Sequence, residues 1–152
     1  MRYMISLLAV LMLWALPALA QDRGPLRIEI TEGVIEPMPY AVPDFVAESA
    51  AERDMSRNLT RVIAADLSGT GLFREIPQDA HISRITSFQS PVEYADWRAV
   101  NAQALITGNV RFDGADRMVV QFRIHDVFAG QELGDGLQFV GTRDGWRRIA
   151  HK

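Results

Sequence analysis

The sequence predicts an α+β domain, and three observations carry that reading. A helical stripe of apolar residues follows a capping box at Ser49 and Glu52. Period-two alternation then runs from Ile106 to Val140, interrupted by two turn signals. Shorter strand patterns at Leu26 and Leu72 lie on either side of the helix. Together these elements predict helices packed on a mixed sheet that ends in an antiparallel meander.

The chain opens with the physical pattern of an export leader in residues 1–20. Arg2 supplies a positive start, the stretch from Ile5 to Leu16 is apolar apart from Ser6, and Pro17 breaks it. Ala18-Leu19-Ala20 then places small residues where a signal peptidase reads, so cleavage is expected between Ala20 and Gln21. An uncleaved anchor would need roughly 20 apolar residues, and this run is too short. With 0 Cys, the new N-terminus cannot be lipidated and no disulfide forms. Loss of Arg2 leaves 15 basic against 19 acidic residues, a net charge of −4, which offers no footprint for nucleic acid. The remaining length suits one domain with one core.

Residues 21–25 form a polar lead with Gly24-Pro25, expected to be flexible. Leu26-Arg27-Ile28-Glu29-Ile30-Thr31 alternates apolar and polar side chains and reads as a half-buried strand, turned at Gly33. Pro37, Pro39 and Pro43 surround Tyr40-Ala41-Val42, and their missing N–H groups predict an edge strand or extended segment. The helix opened by Ser49 carries Met55, Leu59, Val62, Ile63 and Leu67 on one face and stops at Gly69 and Gly71. A short strand is expected from Leu72 to Ile76.

Ser90-Pro91-Val92-Glu93 repeats the capping box with proline at the first helical position, predicting a second helix with Tyr94, Trp97 and Val100 on its apolar side. Ile106, Gly108, Val110 and Phe112 share one strand face. Across the turn at Asp113-Gly114-Ala115-Asp116, Val120, Phe122 and Ile124 share another. A third strand runs near Leu133 to Val140 after a turn at Ala129-Gly130, which makes a meander. Thr142 or Asp144 opens a last helix with Trp146, Ile149 and Ala150 at helical spacing. It reaches Lys152 after about two turns without a cap, so a longer natural chain is expected.

Reactive chemistry is sparse. His81, His125 and His151 lie far apart with no zinc-type spacing, and no nucleophile elbow is present. Alternation puts His125 beside Ile124 on the outer strand face, where a solvated histidine is expected. Gly69-Thr70-Gly71 lacks the further glycine of a dinucleotide loop. Asp113, Asp116, Asp126 and Asp135 sit in or beside turns, where aspartate serves local hydrogen bonding. Asn58-Leu59-Thr60 matches a glycosylation sequon but falls inside the helix. No enzyme activity and no metal site are expected.

Several longer stretches resemble one family. Leu26-Arg27-Ile28-Glu29-Ile30-Thr31-Glu32-Gly33-Val34 is followed by Pro39-Tyr40-Ala41-Val42-Pro43-Asp44-Phe45. Next come residues 62–73, which hold the helix end, the glycine stop and Phe73. Trp97 with Ala104-Leu105-Ile106-Thr107-Gly108, then residues 126–133, complete the series. In this order, and over nearly all of the chain after the leader, they resemble the TolB amino-terminal domain family of the bacterial Tol–Pal envelope system. The resemblance implies an α+β domain similar to the anticodon-binding fold, no enzymatic activity, no cofactor and a periplasmic location in a Gram-negative bacterium. It further implies a role in outer-membrane invagination during division and in envelope integrity. In the family the N-terminal segment, here residues 21–35, binds the C-terminal domain of the inner-membrane protein TolA. A following β-propeller mainly carries binding to the lipoprotein Pal; no propeller pattern occurs in these residues, so the resemblance places no Pal contact on them.

Leu26, Arg27, Ile28, Glu29, Ile30 and Thr31 are therefore the implied TolA-binding residues, residues 36–152 the implied domain. Strand addition fits their chemistry, with an apolar face and main-chain groups for a partner's sheet edge. Alternation alone favours the domain's own first strand, and the resemblance reverses that order. Two other readings remain at this point. One is an envelope domain of the CsgG or LpoB kind, usually lipidated at a cysteine where Gln21 stands. The other is a small periplasmic hydrolase using the turn aspartates.

Overall fold

The computed structural model describes residues 30–31 and 34–152. The predicted leader and residues 21–29 lie outside the described residues. Strands β1 (Ile30–Thr31) and β2 (Val34–Ile35) form an antiparallel two-stranded ladder of their own, with Ile30 opposite Ile35. The main sheet has five strands in the order β4-β3-β5-β6-β7, so the chain builds an α+β fold.

Strand β3 (Met38–Ala41) lies between β4 (Phe73–Glu75) and β5 (Ala104–Asp113) and is parallel to both. This corrects the expectation that the proline-rich stretch would be an edge or merely extended. The reason lies in where Pro39 points. Its carbonyl accepts from Gln103 N at 2.9 Å, so its missing N–H faces the β5 side just before β5 begins, where no acceptor needs a donor. All four residues of β3 are buried, as a strand covered on both faces requires.

Helix α1 (Ala50–Gly69) crosses from β3 to β4. Its predicted capping box is formed: Ser49 Oγ accepts from Glu52 N at 3.2 Å, and Glu52 Oε2 accepts from Ser49 N at 2.8 Å. The helix ends where predicted, with Gly71 in the left-handed region at φ 72°. Met55, Leu59, Val62, Ile63 and Leu67 pack onto a core with Tyr40, Phe45, Val110, Met118 and Val120. The meander also forms, as β5, β6 (Arg117–Asp126) and β7 (Gln131–Thr142). Its register sets Ile106 opposite Ile124, Gly108 opposite Phe122 and Val110 opposite Val120, so both predicted apolar sets share the α1 face. Gly134 and Gly136, at φ 75° and 71°, put a bulge into β7.

The other face of the sheet is covered too. Ala41, Ile76, Trp97, Ala102, Leu105 and Val127 form a second core beneath α2 (Tyr94–Ala99). The predicted capping box at Ser90 does not form: the helix starts at Tyr94, and Glu93 caps it without a side-chain bond. Val92 instead packs on the Trp97 cluster from outside the helix, so docking of the apolar side chains overrides the local signal. Asn101 at φ 60° ends α2, with Asn101 N donating to Arg98 O at 2.9 Å and Ala102 N to Trp97 O at 3.0 Å. Thr142 closes β7 and does not open the last helix, and Asp144 does not either. Helix α3 (Trp146–Ala150) starts after Gly145 and packs Trp146, Ile149 and Ala150 on the first core.

Candidate functional site

Of the six predicted partner-binding residues, the structure describes the backbone of Ile30 and Thr31 only; residues 26–29 lie outside the described residues. Both pair with β2 and neither joins the five-stranded sheet. Among the described residues, the main sheet is complete without the predicted first strand, and its edges are β4 and β7.

The group that most resembles a reactive centre is one that alternation misjudged. His125 is buried, 4% exposed, not solvated. Its Nδ1 lies 3.0 Å from the Tyr94 hydroxyl, and its Nε2 lies 3.0 Å from Thr107 Oγ1. The face that alternation marks as outer is the one α2 covers, which no local pattern in β6 could disclose. Burial holds the imidazole pKa below its ordinary value; Glu132 opposes that shift and Arg123 adds to it. Burial raises the Tyr94 hydroxyl, helped by the Glu132 and Asp126 carboxylates. Both ring nitrogens are thus engaged by hydroxyls of α2 and β5. The arrangement pins α2 to the sheet and leaves neither nitrogen open to a substrate.

Several other titratable residues have structural partners as well. His81 stacks edge-on against Trp97 at 5.0 Å, and burial lowers its pKa against the opposing pull of the Ile76 carbonyl, Glu75 and Asp79. His151 pairs with Asp66 at the surface. Asp113 faces Arg117 across the β5–β6 turn at 3.5 Å. Asp126 Oδ1 accepts from Ala129 N at 2.8 Å, the local turn bond expected of it. Among the described residues no cluster of three His, Asp or Glu side chains is placed to hold a metal, and no helix is long and apolar enough to cross a membrane.

Comparison with known proteins decides the family. The family model for the TolB amino-terminal domain matches residues 26–133, which is most of the chain. The chain belongs to this family. Its relatives include the Tol-Pal system protein TolB of Cereibacter sphaeroides, 66% identical over 145 residues, covering 95% of this chain and 32% of that one. The protein of the same name from Roseobacter denitrificans is 60% identical over 151 residues, covering 99% of this chain and 34% of its own. The chain therefore spans about a third of the length of these relatives. Among solved structures it is similar to TolB from Acinetobacter baumannii, with a TM-score of 0.61 and 18% identity over 76% of this chain and 26% of that one. It is also similar to a lipoprotein from Neisseria meningitidis, with a TM-score of 0.51 and 15% identity over 71% of this chain and 84% of that one. These last two likenesses are of fold.

Within the TolB amino-terminal domain family, the features of this chain that fix its architecture are packing features. Gly108 is the clearest. A Cβ there would stand 2.6 Å from the ring of Phe45, which lies against the strand. Val46 N donates to Gly108 O at 2.8 Å and Val110 N to Val46 O at 2.9 Å, so the segment carrying Phe45 cannot move away cheaply.

Proposed function

We propose that this chain is a non-enzymatic periplasmic component of the Tol–Pal system, exported by cleavage between Ala20 and Gln21, that works through protein contacts. Residues 26–31 add as a strand to the sheet of the TolA C-terminal domain, and the role in outer-membrane invagination and envelope integrity follows from that link. Pal contact is left to the propeller of the family and assigned to none of these residues.

The observation that supports this reading most is the independence of the main sheet from β1. A segment that binds a partner by its backbone must have unsatisfied main-chain groups, and the five-stranded sheet needs none of them. The names of the relatives support the Tol–Pal part.

Deletion of residues 21–35 tests the assignment. Titration against the TolA C-terminal domain is expected to show binding lost, with circular dichroism unchanged because both cores lie within residues 38–150. Ile28→Pro removes one backbone donor and should weaken binding by roughly tenfold or more, whereas Arg27→Ala should cost little, since the main-chain ladder carries the affinity. Undiminished binding by the folded deletion would move the TolA site elsewhere.

A further inference from the structure

The edge of the sheet at β4 lies beside an overhanging helix. Met38 N donates to Leu72 O at 2.9 Å and Ile76 N to Tyr40 O at 2.8 Å, so residues 72, 74 and 76 turn their main-chain groups toward β3. Phe73 and Glu75 therefore turn theirs outward, where no strand among the described residues pairs with them. Along this edge runs a groove of about 480 Å³, within the size range of ligand clefts, between α1 and the β3–β4 side. Ala64 and Ala65 keep the helix wall low enough for a backbone to approach.

The charges in the groove are unevenly matched. Asp44 is satisfied, accepting from Thr60 Oγ1 at 3.3 Å and from Gln78 Nε2 at 3.2 Å. Arg57 pairs with Asp54 on the exposed side of the helix. Among the described residues neither Arg61 nor Glu75 has an ion-pair partner, and both line the groove. Glu75 stands opposite Tyr40, whose hydroxyl donates to the Ala64 carbonyl of α1 at 3.0 Å, so Glu75 shares the face that looks toward the helix. The groove thus presents one unmatched cation from the helix and one unmatched anion from the edge strand, beside a free main-chain ladder.

We propose that this groove is a second protein-binding site, taking an extended peptide segment that adds to the β4 edge with a basic residue opposite Glu75 and an acidic residue two positions away, facing Arg61. Side chains two apart on a strand share a face, so both would point under α1. Cross-strand pairing of opposite charge favours this pattern, and a purely acidic segment meets Glu75 unfavourably. The site is separate from residues 26–31 and requires nothing of them.

The test uses ¹⁵N-labelled protein titrated with synthetic octapeptides of alternating threonine and valine. One peptide carries a Lys and a Glu two residues apart; in the others both are replaced by Gln, or both by Glu. The Lys/Glu peptide is expected to shift the Phe73 and Glu75 amide signals and to bind at least five-fold more tightly than either control. Arg61→Ala together with Glu75→Gln should erase that preference, and Ala65→Trp, at an exposed helix position, should block binding by filling the groove while the thermal melt stays unchanged. Absence of binding by all three peptides, equal binding by the three, or shifts that map away from β4 would each overturn the proposal.

Discussion

Glu52→Ala should destabilise the domain far more than a helix-cap substitution ordinarily does. Glu52 is 7% exposed and serves two elements at once. Its Oε2 accepts from Ser49 N and Ser49 Oγ, each at 2.8 Å, while Oε1 accepts from Phe112 N at 2.7 Å, 60 residues along the chain. The same carboxylate closes the first turn of α1 and ties it to the far end of β5. Bonds to a charged group contribute about 1.5–3 kcal/mol each, and the loss of an N-cap interaction alone costs about 1 kcal/mol. Truncation to alanine strands the N–H groups of Ser49 and Phe112. Water can reach the cap at the end of the helix, which places the expected loss near the low end, about 3 kcal/mol for the two bonds. Urea unfolding followed by circular dichroism measures it, and the melting temperature should fall by roughly 10 °C. The carboxylate also carries a pH signature. Burial raises its pKa, but the bonds from the Phe112 and Ser49 N–H groups and the Ser49 hydroxyl outweigh burial and hold it below the ordinary carboxylate range. A depressed carboxylate contributes stability above its unfolded pKa and loses it as pH falls through the folded one. Glu52→Gln, which cannot accept at both positions, should remove that acid-side loss. A Glu52→Ala loss below 1 kcal/mol, or an acid limb unchanged in Glu52→Gln, would refute the bridging role.

Two further outcomes follow from the packing. Gly108→Ala should cost about 1–3 kcal/mol by overpacking, because its Cβ would stand 2.6 Å from the Phe45 ring, and Phe45→Leu in the same chain should restore part of it; additive losses in urea unfolding would contradict the clash. Stability should also fall as pH drops from about 7 toward 5, since burial lowers the pKa of His125 and the unfolded state then binds the proton first. His125→Gln should flatten most of that slope; His81, lowered in the same sense, supplies the remainder, and a slope unaltered by the substitution would remove His125 from the account.

The parts of this chain that its residues determine locally are the ones whose signals lie a few positions apart. Ser49 and Glu52 begin α1 and Gly71 ends it because a cap involves the same three or four residues wherever the helix goes. The meander is equally legible, since alternation with a turn at Asp113-Gly114 fixes neighbouring strands through a short loop. Strand order and face coverage are different quantities, set by partners distant in sequence. Pro39 sits in a central strand because β5 begins only after the point where its missing donor would face. His125 is buried because α2, from residues 94–99, lies over the face that alternation reads as outer. Glu52 was readable as a cap and not as the acceptor for Phe112. The candidate site divides in the same way. Alternation in residues 26–31 marks a strand that wants a partner sheet, and the family resemblance names the partner. Period two is the same for a strand bound at home or elsewhere, so only the tertiary structure decides that, among the described residues, the five-stranded sheet is built without β1.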